Sequence, residues 1–167
     1  EYNKRRAECE AGVRILRQYD PSVCTLRDVT QELLNAHSTE FDAVVLSRCS
    51  YFIEENQRLI DGCKALSAGN FAAFGKYMFG SHVGLRDKYQ VSCPELDRLV
   101  DIAGSTTGVL GSRMMGGGFG GCTISLVEKD KVDSFEAAIK SGYKTPAGAE
   151  PDIFEVVIGD GAKKINN

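Results

Sequence analysis

The sequence predicts an α+β domain, in which helices pack on one face of a mostly antiparallel sheet. Three observations support this class. Apolar residues recur at helical spacing through the N-terminal part of the chain. Two strand-like apolar runs then flank a glycine-rich stretch, and a further helical pattern with a last apolar run follows them. Because no repeat or linker interrupts this order, residues 1–167 are predicted to form a single domain.

The N-terminal region predicts a first helix over 2–18. Lys4, Arg5 and Arg6 lie in its first turn, where positive charges oppose the helix dipole. Three explanations are open. The helix begins further upstream, or these charges have an acidic or phosphate partner, or they form a solvated, salt-bridged face.

Three more helices are predicted before residue 80. Thr25 caps the second, and Asp28 completes a capping box with it. A long third helix covers 41–66 and stops before Asn70, which caps the fourth. The buried face of the third helix is predicted to consist of apolar residues at helical spacing: Val45, Cys49, Phe52, Leu59, Ile60, Cys63 and Leu66.

The stretch 81–89 predicts a loop near a functional surface, because polar residues are dense there and the apolar spacing breaks. It contains His82, and a single histidine is more often a structural hydrogen-bonding group than a base. Ser92 and Glu95 form the predicted capping box of a fifth helix, which ends at Gly104.

The C-terminal part predicts the sheet. Strands over 109–115 and 122–127 flank the glycine-rich stretch, and the second strand alternates apolar and polar residues. Asp130 is the predicted cap of a helix that runs to Lys140, and 153–158 predicts a last strand before a turn at 159–161.

Composition narrows the function classes. The net charge of −3 provides no electrostatic basis for binding nucleic acid or an anionic membrane. No apolar run reaches the roughly 20 residues that span a bilayer. The six cysteines form no Cys-x-x-Cys pair, so we expect free thiols in a reducing cytoplasm and no metal site. Because the helical pattern is already present at Glu1 and no initiator Met precedes it, we expect a segment of a longer protein.

The glycine-rich stretch 116–121 holds five glycines in six positions. Such a loop can bring converging backbone N–H groups close to an anion, or it can be a flexible hairpin tip. Gly116, Gly118 and Gly121 satisfy the dinucleotide pattern G-x-G-x-x-G. That pattern requires a helix directly afterwards, and a strand-like run follows instead, which argues against a dinucleotide fold. Neither a Gly-Lys-Ser/Thr loop nor the protein-kinase motifs occur.

Three stretches resemble one family, the GHMP small-molecule kinases, in its galactokinase form. Residues 111–122 resemble the third motif of that family and read Gly-Ser-Arg-Met-Met-Gly-Gly-Gly-Phe-Gly-Gly-Cys. Residues 81–97 resemble a galactokinase hallmark and read Ser-His-x-x-Leu-Arg-Asp-x-Tyr-x-Val-Ser-Cys-Pro-Glu-Leu-Asp. Residues 2–10 are similar to the segment where the C-terminal half of a galactokinase begins, with Tyr-x-x-Arg-Arg-x-x-Cys-Glu. The similarity covers essentially the whole chain.

The resemblance implies a GHMP kinase C-terminal domain, with a ferredoxin-like core and extra N-terminal helices. It further implies the C-terminal lobe of a cytoplasmic galactokinase, which transfers a phosphoryl group from ATP to galactose and forms galactose 1-phosphate. The family's catalytic Asp, its Ser-rich phosphate loop and most of its sugar contacts belong to the N-terminal half. No catalytic residue is therefore expected in this segment, which should be inactive alone and form one wall of the cleft.

Two sites follow from the resemblance. Tyr2 matches a tyrosine that lines the sugar pocket, where a ring can cover the apolar face of galactose. The residues that match the loop beside the ATP phosphates are Gly116, Gly117, Gly118, Phe119, Gly120 and Gly121. ATP and Mg²⁺ are implied for the whole protein, with ligands mainly outside this segment. His82, Arg86 and Asp87 fit the family pattern without an assigned role. A β-carbon at Gly118 is expected to impair the use of ATP and to leave the fold largely intact.

Other functions within the same resemblance stay open. The parent protein could be an N-acetylgalactosamine kinase, or a non-catalytic galactokinase-like sugar sensor that binds a transcriptional regulator, because the discriminating residues lie outside this segment. A surface that the other lobe would cover could also support a dimer of this segment.

Overall fold

The computed structural model describes residues 1–159. Its helices are α1 (Tyr2–Leu16), α2 (Gln31–Ala36), α3 (Ala43–Ser67), α4 (Phe71–Gly84), α5 (Pro94–Ser105) and α6 (Val132–Gly142), and its strands are β1 (Val109–Met115) and β2 (Cys122–Val127). Short 3₁₀ turns lie at Leu26–Asp28, Ser38–Glu40 and Lys129–Lys131, and a π-helical turn lies at Leu85–Tyr89. The turn predicted at 159–161 and the tail after it extend outside the described residues.

A hydrophobic core fills the space between α1, α2 and the first half of α3. Its fully buried side chains, each 0% exposed, are Leu16, Val23, Leu34 and Cys49. The predicted buried face of α3 is only half correct, because Leu59 is 64% exposed and Leu66 is 46% exposed. The helical spacing continues along α3, but α1 and α2 cover only its N-terminal half.

The sheet is a hairpin of two antiparallel strands within the described range. Met115 lies opposite Cys122 at the loop end of the hairpin. Helix α4 lies very close to β1, because Gly75 on the helix faces Gly111 on the strand. A β-carbon on either glycine would overlap backbone atoms of the other element. This close approach fixes the position of β1, and hence of the loop that follows it.

A second core cluster joins α3, the π-helical turn, α5 and β1. Its buried members are Tyr51, Leu85, Val91, Leu96 and Met114. The order α5–β1–β2–α6 is the central part of the β-α-β-β-α-β arrangement of ferredoxin-like folds. The predicted α+β class with an antiparallel sheet is confirmed.

The third predicted strand, 153–158, does not form. This segment has no strand partner among residues 1–159, and its side chains are open to solvent: Phe154 is 78% exposed and Ile158 is 95% exposed. Its composition favours a strand, but strands are stabilised by pairing and packing rather than by propensity alone. The described chain supplies no neighbour for this segment.

The predicted loop over 81–89 is helical instead. Helix α4 continues to Gly84, and the π-helical turn Leu85–Tyr89 follows it directly. His82 and Leu85 are buried, so this turn belongs to the core despite its polar composition. The end of the helical segment is marked by Gln90, whose φ of 56° is left-handed.

Local capping chemistry was predicted correctly at two helix starts and incorrectly at two. The capping box of Thr25 and Asp28 is present, although it opens a 3₁₀ turn rather than an α-helix, and Asn70 caps α4. Helix α5 begins one residue later than predicted, with Cys93 as its N-cap. The Ser92 hydroxyl donates instead to Asp97 at 2.5 Å. Lys131, not Asp130, precedes α6.

Candidate functional site at the glycine loop

The loop 116–121 closes the β1–β2 hairpin with a left-handed backbone. The φ angles are 80° at Gly116, 85° at Gly118, 61° at Phe119, 132° at Gly120 and 101° at Gly121. L-residues with side chains rarely adopt such angles, so the glycines are required by the backbone path itself. Phe119 is the exception, and its strained conformation is held by a contact outside the loop.

That contact is with Val91. The Phe119 backbone N–H donates to the Val91 carbonyl at 2.7 Å, and a β-carbon on Gly118 would overlap the same carbonyl. Val91 is only 4% exposed, so the loop rests on a rigid support. Gly118 is therefore needed for packing as well as for backbone geometry, so its replacement is expected to reduce stability in addition to affecting the use of ATP.

The remaining glycines of the loop face open space. A β-carbon built on Gly116, Gly117, Gly120 or Gly121 would have no other atom within 4 Å. The loop thus has one side fixed against Val91 and another side where backbone is uncovered. Beside it lies a cleft of about 340 Å³ lined by Cys93, Glu95, Leu96, Leu99, Phe119, Gly120, Gly121 and Tyr143. A ligand can approach the backbone of the loop closely from this side.

Tyr2 lies in the first turn of α1 and is 73% exposed. It borders a different cleft, of about 540 Å³, whose apolar lining includes Val13, Leu26, Phe52 and Tyr89. No residue lines both clefts among those that the structure describes. The structure therefore does not bring Tyr2 and the glycine loop into one pocket of this chain.

The segment Lys88–Val91, which we call the connector, joins these two regions. Arg5 on α1 donates from Nε to the Tyr89 carbonyl at 2.7 Å and from Nη2 to the Gln90 carbonyl at 3.0 Å. Arg5 is 7% exposed, so it is a buried clamp and not part of a solvated face. Of the three basic residues in the first turn, Arg6 does form an exposed pair, with Glu10 at 2.8 Å.

Residues 63–145, which include α4, α5, the hairpin and its loop, match the family model described as GHMP kinases C terminal. We call residues 63–145 the GHMP domain, after the family whose model they match. This domain holds the glycine loop and the connector, and α1 with Tyr2 precedes it.

Relatives of the GHMP domain and its preceding helices are galactokinases. The chain is 43% identical to the galactokinase of Roseiflexus sp. (strain RS-1), over 98% of this chain and 42% of that protein. It is also 43% identical to the galactokinase of Clostridium acetobutylicum, over 99% of this chain and 42% of that protein. The chain spans about two fifths of the length of these relatives.

A solved structure has the same fold. The galactokinase of Lactococcus lactis, crystallised with galactose, superposes with a TM-score of 0.82 at 35% identity. The match covers 89% of this chain and 38% of that protein. At this identity the similarity extends beyond fold alone. The sequence similarity to the Roseiflexus protein covers 98% of the chain and therefore extends beyond the family model.

His82 of the GHMP domain is a structural group. It is 1% exposed, its Nδ1 accepts the Met114 backbone N–H at 3.2 Å, and its Nε2 lies 3.2 Å from the Asp97 carboxylate. An accepting Nδ1 requires the proton to be on Nε2, facing Asp97. Burial lowers the pKa of His82, and the Asp97 carboxylate opposes this effect. His82 thereby ties α4 to β1 just before the loop, and its Nε2 lies close to Asp97 of α5 without an aligned hydrogen bond.

Arg86 and Asp87 form a neighbouring ion pair, with Nε and Oδ1 at 2.7 Å. The hydrogen bond from Arg86 lowers the pKa of Asp87. Both side chains are partly exposed, and an exposed ion pair of this kind contributes little to stability.

The glycine loop leaves backbone of the GHMP domain open to an incoming ligand. Across residues 1–159, no three His, Cys, Asp or Glu side chains cluster where they could hold a metal. Uncovered loop backbone, by contrast, can donate N–H groups to phosphate oxygens.

Within residues 1–159, none of the helices has the length and apolar character needed to cross a membrane.

Sequence patterns missed Arg48 and Val91. Arg48 is 3% exposed and donates from Nη2 to the Gln90 side chain at 2.7 Å. A signal was available, because Arg48 follows Val45 by three residues and precedes Phe52 by four, which places a charge on the predicted apolar face of α3. Val91 showed no signal, since its role is carried by its backbone carbonyl.

Proposed function

We propose that this chain is the C-terminal part of a galactokinase, which transfers the γ-phosphoryl group of ATP to the anomeric hydroxyl of galactose. The observation that carries the proposal is 43% identity to a galactokinase over 98% of the chain. The galactose-bound Lactococcus lactis enzyme, with a TM-score of 0.82, supports galactose as the sugar. Phosphoryl transfer depends mainly on positioning and charge stabilisation, so a lobe without catalytic side chains can still be essential.

The glycine loop is proposed to lie beside the ATP phosphates. The observation that supports this placement is the open side of the loop, where phosphate oxygens could approach the backbone without meeting a side chain. This side is formed by Gly116, Gly117, Gly120 and Gly121. Phe119 and Gly118, fixed on Val91, would keep the loop in one conformation and so reduce the entropy lost on binding. Mg²⁺ would be held by ATP and by groups outside the described residues, which contain no carboxylate cluster.

Tyr2 is proposed to contact the sugar. With 73% of its surface exposed, its ring is free to cover an apolar face of galactose while its hydroxyl bonds outward. Because Tyr2 and the loop border different clefts, the active cleft would be completed by the N-terminal half of the parent protein.

The chain alone is proposed to be inactive. A base for the sugar hydroxyl must be within hydrogen-bond reach of the proton it accepts. His82 is excluded from this role, because it is buried and both of its nitrogens face protein groups.

The test is an assay of this chain and of the full-length parent protein, each with ATP and galactose or N-acetylgalactosamine. Galactose 1-phosphate from the parent and none from the chain is the expected result. Faster turnover of N-acetylgalactosamine than of galactose would make N-acetylgalactosamine the assigned substrate. Sugar and ATP binding by the parent with no product would support a sensor and overturn the enzyme proposal. Product from the chain alone would show that a catalytic group lies within it.

A further inference from the structure

The structure points to Arg5, Glu8 and Arg48 as positioning residues that couple the sugar side of the cleft to the nucleotide side. They do so by holding the connector Lys88–Val91 between α1, which carries Tyr2, and the glycine loop. This inference rests on the proposed function, since it assigns a role within the same reaction. None of the three side chains touches either proposed ligand-binding group directly.

The first half of the network is the Arg5 clamp. Arg5 lies three residues after Tyr2 on α1, so the two side chains emerge from adjacent positions of the helix. Its guanidinium holds the carbonyls of Tyr89 and Gln90 at 2.7 and 3.0 Å. A shift of α1 would therefore move the connector, and the reverse also holds.

The second half comes from α3. Arg48 donates from Nη2 to the Gln90 side-chain oxygen at 2.7 Å, from Nη1 to the Lys88 carbonyl, and from Nε to Glu8 at 3.0 Å. Glu8 also pairs with Arg5, at 3.3 Å. One carboxylate thus bridges two buried guanidinium groups, which also donate to the backbone carbonyls of the connector and to the Gln90 side chain.

The chemistry of the connector explains why two arginines fit there. Lys88, Tyr89 and Gln90 lie at the C-terminal end of the helical segment formed by α4 and the π-helical turn. The last carbonyls of a helix have no intrahelical partners and form the negative end of its dipole. Buried cations at this end satisfy the carbonyls and are stabilised by them.

The connector reaches the glycine loop within one residue. Gln90 is left-handed, with a φ of 56°, a conformation that non-glycine residues hold only when their surroundings impose it. The next residue, Val91, presents its carbonyl to the Phe119 N–H at 2.7 Å. The two arginines therefore hold Gln90 in its left-handed conformation. This conformation determines the position of the Val91 carbonyl, and hence the position of the loop that is bonded to it.

A second arginine at the end of α1, Arg17, holds backbone carbonyls in the same way as Arg5 but has no connection to the glycine loop. Arg17 donates from Nε to the Val23 carbonyl at 2.8 Å and from Nη2 to the Cys24 carbonyl at 3.0 Å, nearly the same pattern as Arg5. It holds the turn after α1, which belongs to the helical core and not to the loop support. Arg17 thus serves as a control for the loss of an arginine–carbonyl clamp as such.

The experiment uses the full-length parent protein and measures the Kd of a non-hydrolysable ATP analogue with and without saturating galactose. We expect galactose to tighten nucleotide binding about fivefold or more in the unmodified protein. Arg48→Lys should abolish most of that difference and lower kcat more than it raises either KM. The three donors of lysine lie on one nitrogen and cannot reproduce the planar fork by which three guanidinium nitrogens reach three separate acceptors. Arg17 borders the same cleft as Tyr2, so Arg17→Lys can change the KM for galactose, but it should leave the coupling unchanged because Arg17 does not hold the connector.

A milder pair of variants covers the case in which Arg48→Lys fails to fold. Gln90→Asn keeps a residue type that tolerates the left-handed conformation but shortens the side chain, so the bond to Arg48 is lost. Gln90→Glu keeps an acceptor of the same length and should retain the coupling. Loss in Gln90→Asn with retention in Gln90→Glu is the expected pattern.

Two results would overturn the inference. One is an active parent in which galactose does not affect nucleotide affinity. The other is an unchanged coupling and kcat in both Arg48→Lys and Gln90→Asn, with only thermal stability reduced, which would make the network purely structural. A parent protein without phosphoryl transfer would instead refute the proposed function, so the two failures are distinguishable.

Discussion

Two regions of the hairpin depend on glycine for opposite reasons. At the α4–β1 contact, Gly75 and Gly111 have ordinary φ angles, but a β-carbon on either would overlap the backbone of the other element. In the loop 116–121, four of the five glycines have left-handed angles, and at four of the five a β-carbon would meet nothing within 4 Å. In the first region a side chain is excluded because there is no space for it. In the second region it is excluded by the left-handed backbone or by the ligand that is proposed to approach the loop.

This difference separates folding from function along one hairpin. Substitution in the packed region should act on the free energy of unfolding, because atoms of the fold itself would collide. Substitution on the open side of the loop should act on ligand binding, because only an incoming molecule would collide. Gly118 belongs to both groups, since it has a left-handed angle and also lies against Val91.

The largest effect on stability is expected for Gly111→Ala. The added methyl group would force β1 away from Gly75 on α4, at a cost of about 3 kcal/mol or more in the free energy of unfolding. Urea denaturation of the chain measures this loss. Gly62→Ala on α3 is the control, because its β-carbon would lie 3.6 Å from Phe74 in ordinary contact and should stabilise by up to about 1 kcal/mol. Equal effects of the two substitutions would contradict the close packing of α4 on β1.

Gly118→Ala is expected to cost less, about 2 kcal/mol. An alanine in a left-handed conformation costs roughly 1–2 kcal/mol, and its methyl group would also press on the Val91 carbonyl. The loop can relieve part of this strain by moving away from Val91. Faster hydrogen exchange of the Phe119 amide should accompany the loss. A stable protein with an unchanged Phe119 amide would show that Val91 does not support the loop.

His82 should make the packed region sensitive to pH. Because burial lowers its pKa in the folded state, the unfolded chain binds more protons once the pH falls below the unfolded pKa of about 6.5. The stabilisation is thus fully present above that pH, decreases as the pH falls, and stops changing below the folded pKa. Asp97 opposes the shift and Arg86 reinforces it.

Urea denaturation between pH 5 and 7 tests this, in the range where histidine titration dominates. His82→Gln should flatten the dependence of the unfolding free energy on pH, whatever its effect on the stability itself. His37→Gln, at the other histidine of the chain, is the control and should leave the slope attributable to His82 in place. An unaltered slope in His82→Gln would refute the assignment.

Gly117→Ala should have the smallest effect on stability, within about 0.5 kcal/mol. Its φ is not left-handed, and the new methyl group would face open space. In the full-length parent protein, the same change should raise the KM for ATP or lower kcat several-fold, because the methyl group would occupy space proposed for phosphate. Unchanged kinetics together with unchanged stability would show that the loop only connects the two strands and has no role in the use of ATP.

The sequence by itself determined the features that depend on neighbouring residues. Strands β1 and β2 have the predicted bounds, since turn-forming glycines and alternating apolar residues act within a few positions. The caps at Thr25 and Asn70 formed for the same reason. The glycine loop and its motif were also visible, because five glycines in six positions need no partner to be recognised.

Only the tertiary structure decided which surfaces meet. Arg5 and its carbonyl acceptors are more than 80 residues apart in the sequence, and no periodicity predicts such a pairing. The same holds for the C-terminal half of α3, whose apolar spacing is regular but which α1 and α2 do not cover, and for 153–158, which has strand composition without a partner. Helical or strand pattern is a local property, whereas burial and pairing depend on elements that the chain brings together only on folding.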